Sequence, residues 1–284
     1  MNTHTTSRRA FFGLAAAAAV HAAEPKVSVP SYNTLTDAEE IALGRKFAGQ
    51  LEKEMPILQI GALDNYVNGI VTELGRKSRR PNLRYVAKVV NTTDVNAVSM
   101  AGGHIFVFRG LLEWARNEAE LVGVLAHEVG HVVGRHSANQ MMLNFRARQV
   151  YEIVKQNIEL QNKVIEQIIE KFGGAAVMLA MLRYDREQEF EADMFGFYNM
   201  IRAGWDSEGM ISFFRRSNLA AKESNWLEDA LSTHPNPADR ARRLQAEAAT
   251  LRMPADLSQN SVSFSAMKVG LRLLPAPVRP KARR

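Results

Sequence analysis

His127-Glu128-Val129-Gly130-His131 places two imidazoles four residues apart with a carboxylate between them. On a helix, residues i and i+4 share a face, so both rings can reach one metal ion. Glu128 then points toward a water that the ion activates, which is the layout of a zinc hydrolase. The preceding Val122-Gly123-Val124-Leu125 is mostly apolar and suits a buried helix that holds such a site still. The chemistry this predicts is hydrolysis of a peptide bond. An ordinary buried helix can carry the same five residues by chance, so the rest of the site must be found.

A catalytic zinc takes three protein ligands and leaves one position open. One known pattern supplies a third histidine after His-x-x-Gly-x-x. Here Gly134 fits, but Ser137 stands where that histidine would be. His136 is one residue early. On a continuing helix it would face away, which predicts a supporting role rather than a ligand. The other source is an acidic residue on a later helix. Arg186 to Asp193 offers two pairs with helical spacing, Glu189 with Asp193 and Glu187 with Glu191. Spacing alone does not choose between them. The apolar residues Phe190, Ala192, Met194, Phe195 and Phe197 bury part of this segment, and a buried carboxylate needs a partner such as a metal ion.

These motifs resemble the gluzincin family of the CAAX prenyl endopeptidase and the HtpX-like proteases. The resemblance rests on His127–His131 together with Glu189-Phe190-Glu191-Ala192-Asp193. It extends to Asn96-Ala97, Gly102–Val107, Arg135-His136 and Thr233-His234-Pro235 with Arg240. It covers residues 36–250 and is closest to the soluble periplasmic members. It implies Glu189 as third zinc ligand, with Asp193 orienting a zinc histidine from behind. It implies one Zn2+ ion per chain, Glu128 as general base, and His234 as a group that stabilises the developing oxyanion. The implied partners are polypeptides, unfolded or misassembled cell-envelope proteins among them. The competing expectation is a periplasmic chaperone or assembly factor whose zinc site is latent or structural. The sequence departs from the membrane members in lacking spanning segments, and no C-terminal repeat domain is recognisable.

The elements that must position these residues can be read from periodicity. Thr36 and Glu39 form a capping box that starts a helix over about 37–54, and Pro56 ends it. A second helix is expected over about 62–79. Short β-branched runs at Tyr85–Val90 and Ile105–Phe108 predict two or three strands within 83–109. Ile105–Phe108 is the strand expected to pair with an extended substrate. Further helices are expected over about 111–117, 118–135, 138–172, 174–203, 207–222 and 238–252. The 138–172 stretch is a candidate lid. The fold class expected is α+β, mainly α-helical, zincin-like, with a small sheet bordering the cleft.

Composition bounds the rest. With 284 residues, 46% of them hydrophobic, the chain can bury a large core. It has no cysteine, which excludes disulfides, thiolate metal sites and a cysteine nucleophile. The net charge is +6, but Arg8 and Arg9 lie in a leader and residues 255–284 carry +5, leaving the body near −1. That distribution argues against a nucleic-acid partner, whose footprint would lie on the fold itself. Ser7-Arg8-Arg9-Ala10-Phe11-Phe12 and the alanine-rich run after it predict a twin-arginine signal peptide over 1–22 and a periplasmic location. The metallopeptidase domain is then expected over 23–254. The basic 255–284 stretch is expected to be a solvated tail, able to touch an anionic membrane surface. No segment reaches the roughly 18 apolar residues that a span needs. Phe172–Leu182 comes nearest.

Overall fold

Thr36 and Glu39 start the first helix as their spacing predicts. Glu39 donates its backbone N–H to Thr36 Oγ1 (3.3 Å), and Thr36 donates its own to Glu39 Oε2 (2.7 Å). This helix, α1, runs Asp37–Glu54. The computed structural model describes residues 26–27, 29–31, 33–147, 182, 184–223 and 234–278. Most of the candidate lid and Phe172–Leu182, apart from Leu182 itself, lie outside the described residues.

After Pro56 a two-residue strand, β1 (Ile57–Leu58), precedes helix α2 (Gly61–Lys77). Leu63, Val67, Ile70, Val71 and Leu74 form the buried stripe of α2. The sheet continues with β2 (Val86–Val90), β3 (Ala97–Met100) and β4 (His104–Phe108). Its order is β1-β2-β4-β3, with β2 parallel to β4 and β3 antiparallel to β4. β1 is too short to show periodicity, so the sequence reading missed it.

The register corrects one expectation. Ile105–Phe108 belongs to β4, which lies inside the sheet and is paired on both sides. A substrate cannot add to it. The edge on the side of the zinc-motif helix is β3. A run as continuously apolar as Ile-Phe-Val-Phe fits an interior strand with both faces covered. Ile105 and Val107 face one core, and Phe106 and Phe108 face another beneath α1. Gly102 (φ 73°) and Gly103 (φ 94°) make the turn between β3 and β4. A side chain at Gly103 would stand 2.6 Å from the Arg84 carbonyl oxygen.

After the short α3 (Arg109–Trp114), α4 (Glu118–Val133) carries the histidine motif. Asn117 caps α4, accepting from Glu120 N–H at 2.8 Å. Among the described residues, α4 packs most extensively on α6 (Arg186–Arg202). Two glycines let their backbones touch. A Cβ on Gly130 would sit 2.3 Å from the Ala192 carbonyl oxygen, and one on Gly196 would sit 2.8 Å from the Ala126 carbonyl carbon. This close approach brings the acidic turn of α6 against the histidines. Helices α5 (His136–Ala147), α7 (Glu208–Glu223), α8 (Pro237–Thr250) and α9 (Val262–Arg272) complete the described fold.

Helix α9 overturns the solvated-tail expectation as far as Val278. Phe264, Met267 and Leu271 recur at helical spacing and are buried. Lys268 donates to the carbonyl oxygens of Leu112, Glu113 and Ala115, closing the end of α3. Buried Arg109 donates to the Leu271 and Pro275 carbonyl oxygens, and Val278 N–H to that of Asn91. Three apolar residues among serines and basic groups were outweighed in the sequence reading by the charge count. No helix among the described residues is long and apolar enough to cross a membrane.

Candidate metal centre

Helix α4 turns His127 and His131 toward each other, with their Nε2 atoms 2.9 Å apart. Glu189, from the first turn of α6, lies across from them. Its Oε2 is 3.5 Å from His127 Nε2 and its Oε1 is 3.4 Å from His131 Nε2. All three side chains are buried. The choice left open by spacing is decided by packing. Glu189 faces the imidazole pair, whereas Glu191 bonds His136 Nε2 at 3.1 Å. His234, just before α8, joins from the opposite side, with Nδ1 3.2 Å from His127 Nε2 and 3.0 Å from Glu189 Oε1. His127, His131, Glu189 and His234 thus offer four donor atoms, all within 4.8 Å of one another.

These separations suit a zinc ion. Ligands at about 2.0–2.1 Å on tetrahedral corners stand about 3.3 Å apart. Protonation agrees. Burial holds His127 and His131 well below the usual imidazole range, so both are neutral, as ligands must be. Burial alone would raise Glu189, but His234 and Arg240 outweigh it and hold the carboxyl well below its usual range.

Glu128 sits beside the cluster, 1% exposed, and Ser99 and His234 are polar side chains that bear on its carboxylate. His234 Nε2 lies 3.4 Å from Oε1. Burial pushes the Glu128 carboxyl up to about 7, against the lowering field of His234. Burial would lower His234 itself, but the Glu189 and Glu128 carboxylates raise it. Asp193 Oδ1 lies 2.9 Å from His127 Nδ1, behind the face that Nε2 presents to the cluster. His234 does not cap α8: that position is Asn236, in the left-handed region (φ 60°), with Pro237 following.

Arg240 is the group whose role the sequence reading missed. It is 1% exposed and donates to both Asp193 oxygens (2.8 and 2.6 Å), with Nη1 2.8 Å from Glu189 Oε2. Its guanidinium stacks 4.0 Å from the Phe214 ring centre. The resemblance includes Arg240 but gives it no role; spacing alone does not set it apart from Arg242 and Arg243, and the packing of α8 turns it inward. Tyr184 was also unremarked. Its ring stacks on His131, with centres 4.0 Å apart, and its buried hydroxyl has no hydrogen-bond partner among the described residues.

The profile of peptidase family M48 matches residues 62–248, about two thirds of the chain. The chain belongs to this family. The gluzincin resemblance is thereby borne out, as is the α+β fold with a small sheet. M48 peptidases use zinc, and the cluster described above is able to hold one ion. Among similar proteins, the beta-barrel assembly-enhancing protease of Escherichia coli K12 is 25% identical over 223 residues, 76% of this chain and 45% of the relative. Metalloprotease YcaL of the same organism is 27% identical over 214 residues, 75% of this chain and 81% of that protein. The mitochondrial metalloendopeptidase OMA1 of Schizosaccharomyces pombe is 27% identical over 180 residues, 63% of this chain and 51% of the relative. The M48 chain thus spans about half the length of the beta-barrel assembly-enhancing proteases it matches.

Proposed function

We propose that this M48 chain is a zinc-dependent endopeptidase acting on misfolded or misassembled envelope proteins. The observation that carries the reading is the convergence of His127, His131 and Glu189 beside the buried Glu128 carboxylate, which stands outside that donor set. These three residues would hold the ion. A bound zinc lowers the pKa of its water and polarises the scissile carbonyl. Glu128 takes the proton of the attacking water and hands it to the leaving amine. Asp193, locked by Arg240, keeps the His127 Nδ1 proton in place and so leaves Nε2 bare. The extended substrate lies along the β3 edge, where backbone pairing tolerates varied side chains. Substrate class is suggested by the names of the relatives. Purified protein is expected to cleave casein, with activity lost to a chelator and restored by zinc. Binding of unfolded casein without any cleavage would sink the enzyme reading.

His234 favours a second reading of the resting state. Its Nδ1 stands where a fourth ligand would, and a site with four protein ligands is closed rather than catalytic. In the first reading His234 swings aside and donates to the oxyanion. His234→Phe is then expected to lower kcat about 100-fold with KM little changed. A rise in kcat would instead identify His234 as a plug that keeps the site latent, as in an assembly factor.

Location is part of the proposal. The Arg8-Arg9 leader would direct export to the periplasm, and replacing both by lysine should retain the protein in the cytoplasm; unchanged export overturns this. Peripheral contact with anionic lipid would use the outer face of α9, where Val262, Val269 and Leu273 are exposed beside Arg272. Equal sedimentation with neutral and anionic vesicles would count against it.

A further inference from the structure

Both imidazoles of the pair turn Nε2 to the cluster, so each must carry its proton on Nδ1 and give it to an acceptor. Beside His127 Nδ1 lie the Asp193 carboxylate at 2.9 Å, which could accept that proton, and Arg240 Nη2 at 3.0 Å. For His131 the acceptor is another imidazole. His136 Nδ1 lies 2.8 Å from His131 Nδ1, and His136 Nε2 lies 3.1 Å from Glu191 Oε2. Only one assignment of neutral rings satisfies both contacts. His131 donates from Nδ1, His136 accepts at Nδ1, and His136 donates from Nε2 to the Glu191 carboxylate.

His136 reaches this position because the helix does not continue as its spacing alone would suggest. Helix α4 ends at Gly134, and Arg135 takes a left-handed conformation (φ 57°) that folds His136 back under His131. The His136 ring lies against Gly134, where a Cβ would stand 2.3 Å from His136 Nε2. The turn is pinned. Arg135 donates to the Leu35 carbonyl oxygen at 2.7 Å, and its Nε pairs with buried Glu40, also at 2.7 Å. Arg80 bonds the same Glu40 and donates to the Val132 carbonyl oxygen at 3.0 Å.

We propose that His136 and Glu191 form a positioning relay that fixes the tautomer and angle of His131, and through it the affinity for zinc. The proposal rests on the zinc reading above. Partners behind a metal-bound histidine typically change metal affinity 10- to 100-fold when removed. The two histidines are backed differently. Asp193 is buried and held by an arginine, whereas the Glu191 side chain is 24% exposed, so this arm runs from the metal face to the surface.

The test uses the full chain and competition with a chelator of known zinc affinity. Glu191→Ala should weaken zinc binding at least 10-fold, while the thermal midpoint of the metal-free protein stays unchanged. Glu191→Gln should recover most of the loss, because the amide oxygen still accepts from His136 Nε2. His136→Ala should weaken binding to a similar degree, and adding Glu191→Ala to it should cost nothing more. In the metal-free protein, nitrogen-15 NMR should find the His136 proton on Nε2, and this preference should disappear in Glu191→Ala. A zinc affinity within twofold of wild type in Glu191→Ala overturns the relay. So do losses that multiply in the double variant, which would make Glu191 an independent ligand, or a His136 proton found on Nδ1. Wild-type protein that takes up no zinc would refute the metal reading, while the tautomer measurement would still judge the relay.

Discussion

Replacing Glu128 by glutamine is expected to abolish peptide hydrolysis while zinc stays bound. Loss of a general base costs about 10²- to 10⁴-fold in rate. None of the donor atoms that face one another in the cluster belongs to Glu128, so zinc stoichiometry should not change. Wild-type turnover in the variant would remove the assignment as base. The same substitution has a second effect in the metal-free protein. Folding raises this carboxyl from 4.5 to about 7. The folded state therefore binds the proton more tightly than the unfolded state, and stability falls as pH rises from the unfolded value through the folded one. Above pH 7 the penalty is on the order of 3 kcal/mol, and below pH 4.5 it vanishes. Metal-free Glu128→Gln should thus be more stable than metal-free wild type at pH 8 and about equal to it at pH 4. A stability difference that does not change with pH would show that burial of the charge is not the cause.

Arg240→Leu should destabilise the metal-free protein by about 3–5 kcal/mol. The arginine faces two buried carboxylates, and its removal leaves Asp193 without its guanidinium and Glu189 with His234 alone. Leucine keeps apolar contact with Phe214 but restores no charge. Bound zinc replaces part of the missing positive charge, so the deficit should narrow when the metal is saturating. Denaturant unfolding with and without zinc measures both effects. A loss below about 1 kcal/mol in the metal-free protein would mean that the carboxylates find other partners.

Much of the site was legible because one helix carries it. His127, Glu128 and His131 follow from spacing on a single helix, and the Thr36–Glu39 cap from spacing at its start. The third ligand was not legible from spacing. Glu189 and Glu191 are two residues apart on α6, and only the glycine contacts between α4 and α6 decide which one faces the imidazoles. His136 was assigned a supporting role on the premise of a continuous helix. Its contact with His131 arises instead through a left-handed turn at Arg135 that no periodicity reveals. The edge expected at Ile105–Phe108 proved to be an interior strand because strand order is set by pairing between distant segments. The expected tail became a packed helix because its three apolar contacts count only when a matching surface exists.

By itself the sequence determined the chemistry available: two imidazoles and a carboxylate on one helical face, no thiol, and an acidic segment able to complete the site. Those features depend on neighbours within one or two turns, where geometry follows from the helical repeat. Where spacing left the choice open, tertiary structure brought Glu189 rather than Glu191 to the imidazoles, turned Arg240 rather than Arg242 or Arg243 onto Asp193, and set His136 against His131. Each of these depends on the approach of helices far apart in the chain, and a local pattern carries no information about that approach.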